Sequence, residues 1–261
     1  MFLYYSSNAL GLMLFIYINI IITKVITISS YKGHSIFALF LSLMFFHSPL
    51  LIALTLIGAN IPDFDHKFKK DNVYKLIILG LIVFISLYIL KLPYLIGLII
   101  VFLGACFYFS EHRSFTHSIF GVIILTSAVS LIVIWAFQLA TSFTVIENQY
   151  YILAIIIALL SFLFLNKKLL MIFLPVFFIS IVLLPVFNIN YLEIILAIFI
   201  GVFSHIVLDS FTPSGIKIFA PISSKKVFRQ FGLVCIFILV VAAMIYQGPF
   251  YYNFFESYVI S

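Results

Sequence analysis

His205 and Asp209 stand four residues apart in Gly201-Val-Phe-Ser-His-Ile-Val-Leu-Asp-Ser-Phe-Thr-Pro-Ser-Gly215, a stretch that begins as an apolar helix and ends in a turn. At i and i+4 the two side chains share one helical face, and an imidazole with a carboxylate is a good ligand pair for zinc or a similar divalent ion. A single pair near a helix end is equally well explained as capping or solvated residues, so its two companions carry weight. Pro62-Asp-Phe-Asp-His66 follows an apolar run directly. Asp63 and Asp65 there either share one cation or bridge two; the plainer alternative is a solvated helix exit with Asp65 paired to the lysines behind it. In His112-Arg-Ser-Phe-Thr-His117 the histidines are five apart, off a common helical face, and converge only across a turn. Arg113 between them suits phosphate or a developing oxyanion. Positive-inside anchoring or a pair with Glu111 explains it equally well.

The remaining polar residues read more simply. A carboxylate at the C-terminal end of a helix opposes the helix dipole, so Asp209 implies a compensating cation. Thr116 is expected to cap the helix that follows, with bonding to a ligand the alternative, and Thr212-Pro-Ser-Gly215 reads first as a turn and second as a substrate contact. His34 alone would be an interfacial histidine and His47 a structural one. Glu147, Glu193 and Glu256 show no partners and read as solvated or membrane-edge residues.

The elements that must position these groups are membrane helices. The chain has 261 residues, is 65% hydrophobic and only 8% charged, and has a mean hydropathy of +1.31. That leaves too little polar surface for a soluble domain and predicts an all-α, polytopic bundle in one integral membrane domain, 1–261. The net charge of +6 is read as topological rather than as a nucleic-acid footprint, and no nucleic-acid partner is expected. Cys106 and Cys235, both in apolar runs, are read as inert thiols. Residues 1–23 lack a basic start and a small-residue cleavage motif, so they read as part of a retained span.

About eight spans are expected, at 3–23, 75–90, 93–110, 118–140, 150–165, 169–187, 191–209 and 231–247. Residues 35–61 form either one long span or a hairpin of two short helices, 35–46 and 50–61, broken at His47-Ser-Pro49. A single span puts 11 of the 14 basic residues on one side; the hairpin puts 13 there and leaves only Lys91 opposite. The charge rule thus favours the hairpin, and with it a cytoplasmic face that gathers His34, Asp63, Asp65, His66, His112, His117, His205 and Asp209 at helix ends. Clustered ionisable groups at a bilayer pair with one another, bind ions or do chemistry.

At these residues the chain resembles the YdjM family of membrane-bound, predicted metal-dependent hydrolases. Gly33-His34, Leu56-Ile-Gly-Ala-Asn-Ile-Pro-Asp-Phe-Asp-His66, His112-Arg-Ser-Phe-Thr-His-Ser118 and Ser204-His-Ile-Val-Leu-Asp-Ser-Phe-Thr-Pro-Ser-Gly215 are similar to its four signature blocks, within 33–222. Where the family has His-Arg-Gly, Ser114 replaces the glycine, so a different local turn is expected. The family is itself distantly similar to the zinc-dependent phospholipase C and single-strand nuclease group.

The resemblance implies metal ligands drawn from His34, Asp63, Asp65, His112, His117, His205 and Asp209. These would hold one to three divalent ions, with zinc the first candidate. The expected activity is metal-dependent hydrolysis at the cytoplasmic face of the cell membrane, on a phosphoester or a lipid. Asp65 or Asp63 would serve as general base, with Arg113 stabilising negative charge. A metal-ion transporter and a scaffold with a structural metal are the alternatives; a transporter site belongs near the bilayer midplane on broken helices.

Overall fold

The structure, a computed structural model, describes residues 31–65, 70–110, 113–143, 149–184 and 188–259, with side chains to 248. It is all-α. Helices run in the order α1 (Tyr31–Phe45), α2 (Pro49–Gly58), α3 (Lys70–Ile89), α4 (Leu95–Phe109), α5 (Ile119–Phe143), α6 (Gln149–Phe164), α7 (Lys167–Leu183), α8 (Tyr191–Asp209) and α9 (Arg229–Val259). Seven of the expected spans correspond to α3–α9, and the span expected at 3–23 lies outside the described residues. Among the described residues, four helical stretches are long and apolar enough to cross a bilayer: Lys70–Ile89, Ile119–Phe143, Tyr191–Asp209 and Arg229–Gly248. Two shorter apolar helices, Leu95–Phe109 and Gln149–Phe164, pack among them.

Residues 35–61 form the hairpin. α1 ends at Phe45, and α2 restarts at Pro49. Pro49 fits the first helical position because the N–H it lacks would be unmatched there in any case. α2 buries eight of its ten residues, among them Leu50, Leu54 and Ile57, so this short helix lies inside the protein rather than on its surface. Asn60 ties the two arms together: its Nδ2 donates to Ser35 Oγ (3.2 Å) and to the Leu56 carbonyl (2.8 Å). At the far end Gln247 Nε2 on α9 donates to the Phe45 carbonyl at 2.6 Å.

The hairpin packs against α8 at a crossing of two glycines. A Cβ on Gly201 would lie 2.9 Å from the Gly58 Cα, and one on Gly58 would lie 2.9 Å from the Ile198 carbonyl. With no side chain at either position the backbones touch, as membrane helix pairs do at small residues. α8 itself begins with a capping box. Asn190 Oδ1 accepts from the Glu193 N–H (2.9 Å), and Glu193 Oε2 accepts from the Asn190 N–H (3.0 Å). Glu193 is therefore a partnered helix cap rather than the partnerless residue expected from sequence; the Asn-x-x-Glu spacing was the signal.

Candidate metal centre

Four chain segments meet at one end of the bundle. His34 lies in the first turn of α1, Asp63 and Asp65 in a 3-10 turn (Pro62–Asp65), and His117 at the close of a second such turn (Phe115–His117). His205 and Asp209 occupy the last two turns of α8.

The Gly58–Gly201 contact sets the geometry. It brings the Ala59 carbonyl to 2.7 Å from His205 Nδ1. A carbonyl can only accept, so Nδ1 carries the proton and the lone pair of Nε2 faces the centre. Around that nitrogen stand His117 Nε2 at 3.2 Å, Asp63 Oδ1 at 3.5 Å and Asp209 Oδ2 at 3.6 Å. His117 Nε2 is in turn 3.3 Å from Asp209 Oδ2 and 4.0 Å from Asp63 Oδ1. Zinc bonds of about 2.0–2.1 Å place neighbouring tetrahedral ligand atoms roughly 3.3 Å apart. His117 Nε2, His205 Nε2 and Asp209 Oδ2, 3.2–3.6 Å from one another, match that edge length, and Asp63 Oδ1 stands at the margin at 3.5 and 4.0 Å, so two imidazole nitrogens and a carboxylate oxygen fit a divalent ion with Asp63 beside it. The donor types suit zinc and its neighbours.

His34 adds a second layer. Its ring stacks on His205 with centroids 3.8 Å apart, and its Nε2 lies 3.5 Å from Asp209 Oδ1. His34, His205 and Asp209 form one candidate metal-holding group, and Asp63, His117 and His205 form another. A single Nε2 lone pair binds one ion, so His205 joins the two groups into one centre.

Asp65 occupies a different place. Its side chain is fully buried, its Oδ2 accepts from the Thr116 hydroxyl and lies 3.6 Å from His117 Nδ1, the nitrogen turned away from the other donors. Thr116 Oγ1 is also 3.1 Å from His117 Nδ1 and 3.2 Å from Ser110 Oγ. Burial alone would depress the pKa of His117, but the carboxylates of Asp209 and Asp65 outweigh it and push that pKa up to about 10.

Thr116 is thus committed to Asp65, contrary to the capping role expected of it. The cap of α5 is Ser118, whose Oγ accepts from the Gly121 N–H at 3.1 Å. The 3-10 turn rotates Thr116 inward and leaves its neighbour at the helix start. Arg113 reaches the same region from the edge, with Nη2 3.9 Å from Asp209 Oδ1 and Nη1 donating to Ser214 Oγ. Its backbone is left-handed at φ 62, a conformation that costs a non-glycine residue about 1–3 kcal/mol. The glycine that Ser114 replaces would have stood one position later; here the strained residue is Arg113 itself.

Asp209 has the cationic surroundings its place at a helix end demanded. His205, at no exposure, and Asp209, at 3%, would be costly to bury unpaired. The most open donor is Asp63, whose side chain is 25% exposed, so the centre faces outward there. Sequence reasoning brought His34, Asp63, Asp65, Arg113, His117, His205 and Asp209 to one place, and the structure gathers all seven. His112 lies outside the described residues, as does His66. Three contributors were missed. Ser214 was read first as part of a turn, with a substrate role second, and the Ala59 carbonyl has no signature at all. Asn60 did have a signal, an amide inside an otherwise apolar run.

The sequence model of the YdjM inner membrane protein family matches residues 14–166 and 168–259, and the chain belongs to that family. No curated protein and no solved structure matches it.

Proposed function

From membership of the YdjM family and this donor geometry, we propose that the protein is a membrane-embedded metal-dependent hydrolase. The single observation that carries the reading is the close set of His117, His205 and Asp209 donors with the more exposed Asp63 at its margin, assembled from three separate segments, which leaves a position for water. A divalent ion, zinc first, would supply Lewis acidity there, bringing the pKa of a water toward neutrality and polarising a substrate oxygen. Asp63, at the open edge, is placed to accept the proton of an attacking water. Asp65 orients His117 from behind through Nδ1, in the carboxylate–histidine arrangement of metal sites. Arg113 offers a fixed positive charge to a substrate oxygen as negative charge develops.

The same centre is assigned to the cytoplasmic face. The expected span order with the hairpin supports this, because it would put 13 of the 14 basic residues on the side that carries the centre. A transporter reading is disfavoured by the helix-end positions of the donors, since transported ions bind near the midplane at broken helices.

The test is hydrolysis of chromogenic phosphomonoester, phosphodiester and carboxylic ester substrates by detergent-purified protein, before and after chelation and zinc restoration. Metal-dependent turnover of one ester class, lost in Asp63→Asn, is expected. Stoichiometric metal with no turnover of any class would contradict a hydrolase and favour a structural site.

A further inference from the structure

The guanidinium of Arg113 does more than the metal donors require. Nη1 donates to Ser214 Oγ and Nη2 approaches Asp209 Oδ1 at 3.9 Å, while Nε is buried with no partner. A guanidinium has five donors in a rigid fork, and an unmatched buried one calls for an explanation. The left-handed backbone at φ 62 is a second anomaly of the same residue. Backbone strain of this kind clusters at active sites and ligand clamps.

The opposing wall is prepared in advance. Thr212 Oγ1 donates to the Asp209 carbonyl at 2.8 Å and lies 3.1 Å from Ser214 Oγ. Gly215, left-handed at φ 61, closes the turn by donating its N–H to the Thr212 carbonyl at 3.0 Å. Beyond it Ile216 and Val227 exchange two backbone bonds, of 3.1 and 2.9 Å, and Ile119 N donates to the Ile218 carbonyl at 3.0 Å. The turn is therefore clamped to the start of α5, and the exposed Ser214 hydroxyl is held beside the guanidinium.

A planar cationic fork next to a hydroxyl, one residue cluster away from a metal centre, matches the paired oxygens of a tetrahedral oxyanion. We propose that Arg113 and Ser214 form a subsite for the non-bridging oxygens of a phosphoryl group, with Thr212 as a positioning residue. The subsite narrows the hydrolase reading, on which it rests for its reaction, to phosphate esters. Its ligand is either a soluble phosphate compound or the headgroup of an anionic phospholipid; both present the same oxygens.

The test is calorimetric titration of zinc-loaded, detergent-purified full-length protein with inorganic phosphate and, separately, with mixed micelles of dioctanoyl phosphatidic acid. Zinc content is measured on the same samples. Arg113→Lys keeps the charge without the fork, and Ser214→Ala removes the hydroxyl. Each should weaken phosphate roughly tenfold with zinc retained, and Thr212→Val about threefold. Tighter binding of the micellar lipid identifies a headgroup ligand; tighter binding of inorganic phosphate identifies a soluble one. Unchanged phosphate affinity in both Arg113→Lys and Ser214→Ala, with zinc in place, overturns the subsite. Wild-type protein that takes no zinc yet binds phosphate through Arg113 would leave the subsite standing and remove the metal reading.

Discussion

α3 and α8 are both apolar helices of nearly equal length, 20 and 19 residues. In the structure they have opposite surroundings. α3 buries only Val73, Leu76 and Gly80 and turns Ile78, Leu81, Ile82 and Ile85 outward. α8 buries twelve residues along its length, including Gly201, Ser204, His205 and Asp209. In a bilayer the hydrophobic effect does not separate a lipid-facing helix from a central one, because hydrocarbon solvates both. Small and polar residues make the distinction: Gly201 lets a neighbouring backbone touch, and His205 and Asp209 give that contact something to hold.

The contrast breaks most sharply at Gly201. Gly201→Val places a branched side chain against the Gly58 backbone, a contact that cannot relax through side-chain rotation. The expected loss is about 1–3 kcal/mol or more, with the Ala59 carbonyl drawn off His205, read as a drop in thermal unfolding temperature in detergent and loss of bound metal.

Protons sharpen the chemistry of the central helix. With its pKa raised to about 10, His117 is protonated at neutral pH and must release that proton to bind a metal. The sign follows: metal affinity rises with pH toward 10 and falls on acidification. One competing proton gives about tenfold per pH unit, so roughly a hundredfold between pH 6 and pH 8. Competition titrations with a zinc chelator would read it; a flat profile would remove His117 from the ligand set.

Asp65 tests the layer behind the donors. Asp65→Asn keeps the shape but weakens the hold on His117 Nδ1, and a loss of about 10–100-fold in metal affinity is expected, with a lower unfolding temperature in the metal-free protein because the buried imidazolium loses a carboxylate. The smallest effect belongs to α3. Ile82→Val, on its outward face, should change stability by less than about 0.5 kcal/mol and leave metal content untouched.

Much of this was legible in the chain because the polar residues are so few. Pro49 and the charge balance pointed to the hairpin, and α1 and α2 break where Pro49 starts the second helix. His205 and Asp209 were found from their i, i+4 spacing together with the companion segments at Asp63–Asp65 and His112–His117. The pairing of His117 with Asp65 was not, since it depends on two 3-10 turns whose bend no periodicity encodes. Thr116 was misread for the same reason: a threonine before an apolar run has the sequence of a cap, and only the turn decides that Ser118 takes the role. The Ala59 carbonyl that fixes the His205 tautomer lies beyond any reading of side chains, although the Gly58–Ala59 and Gly201 positions were visible as small residues in apolar helices.

The central claim, that these donors hold a metal, is tested most directly by metal content. Detergent-purified wild-type protein, measured by mass spectrometry beside His205→Ala and Asp209→Ala, should carry about one divalent ion per chain, and both variants should lose it. A wild type without metal after zinc is added back, or variants that retain it in full, would contradict the account.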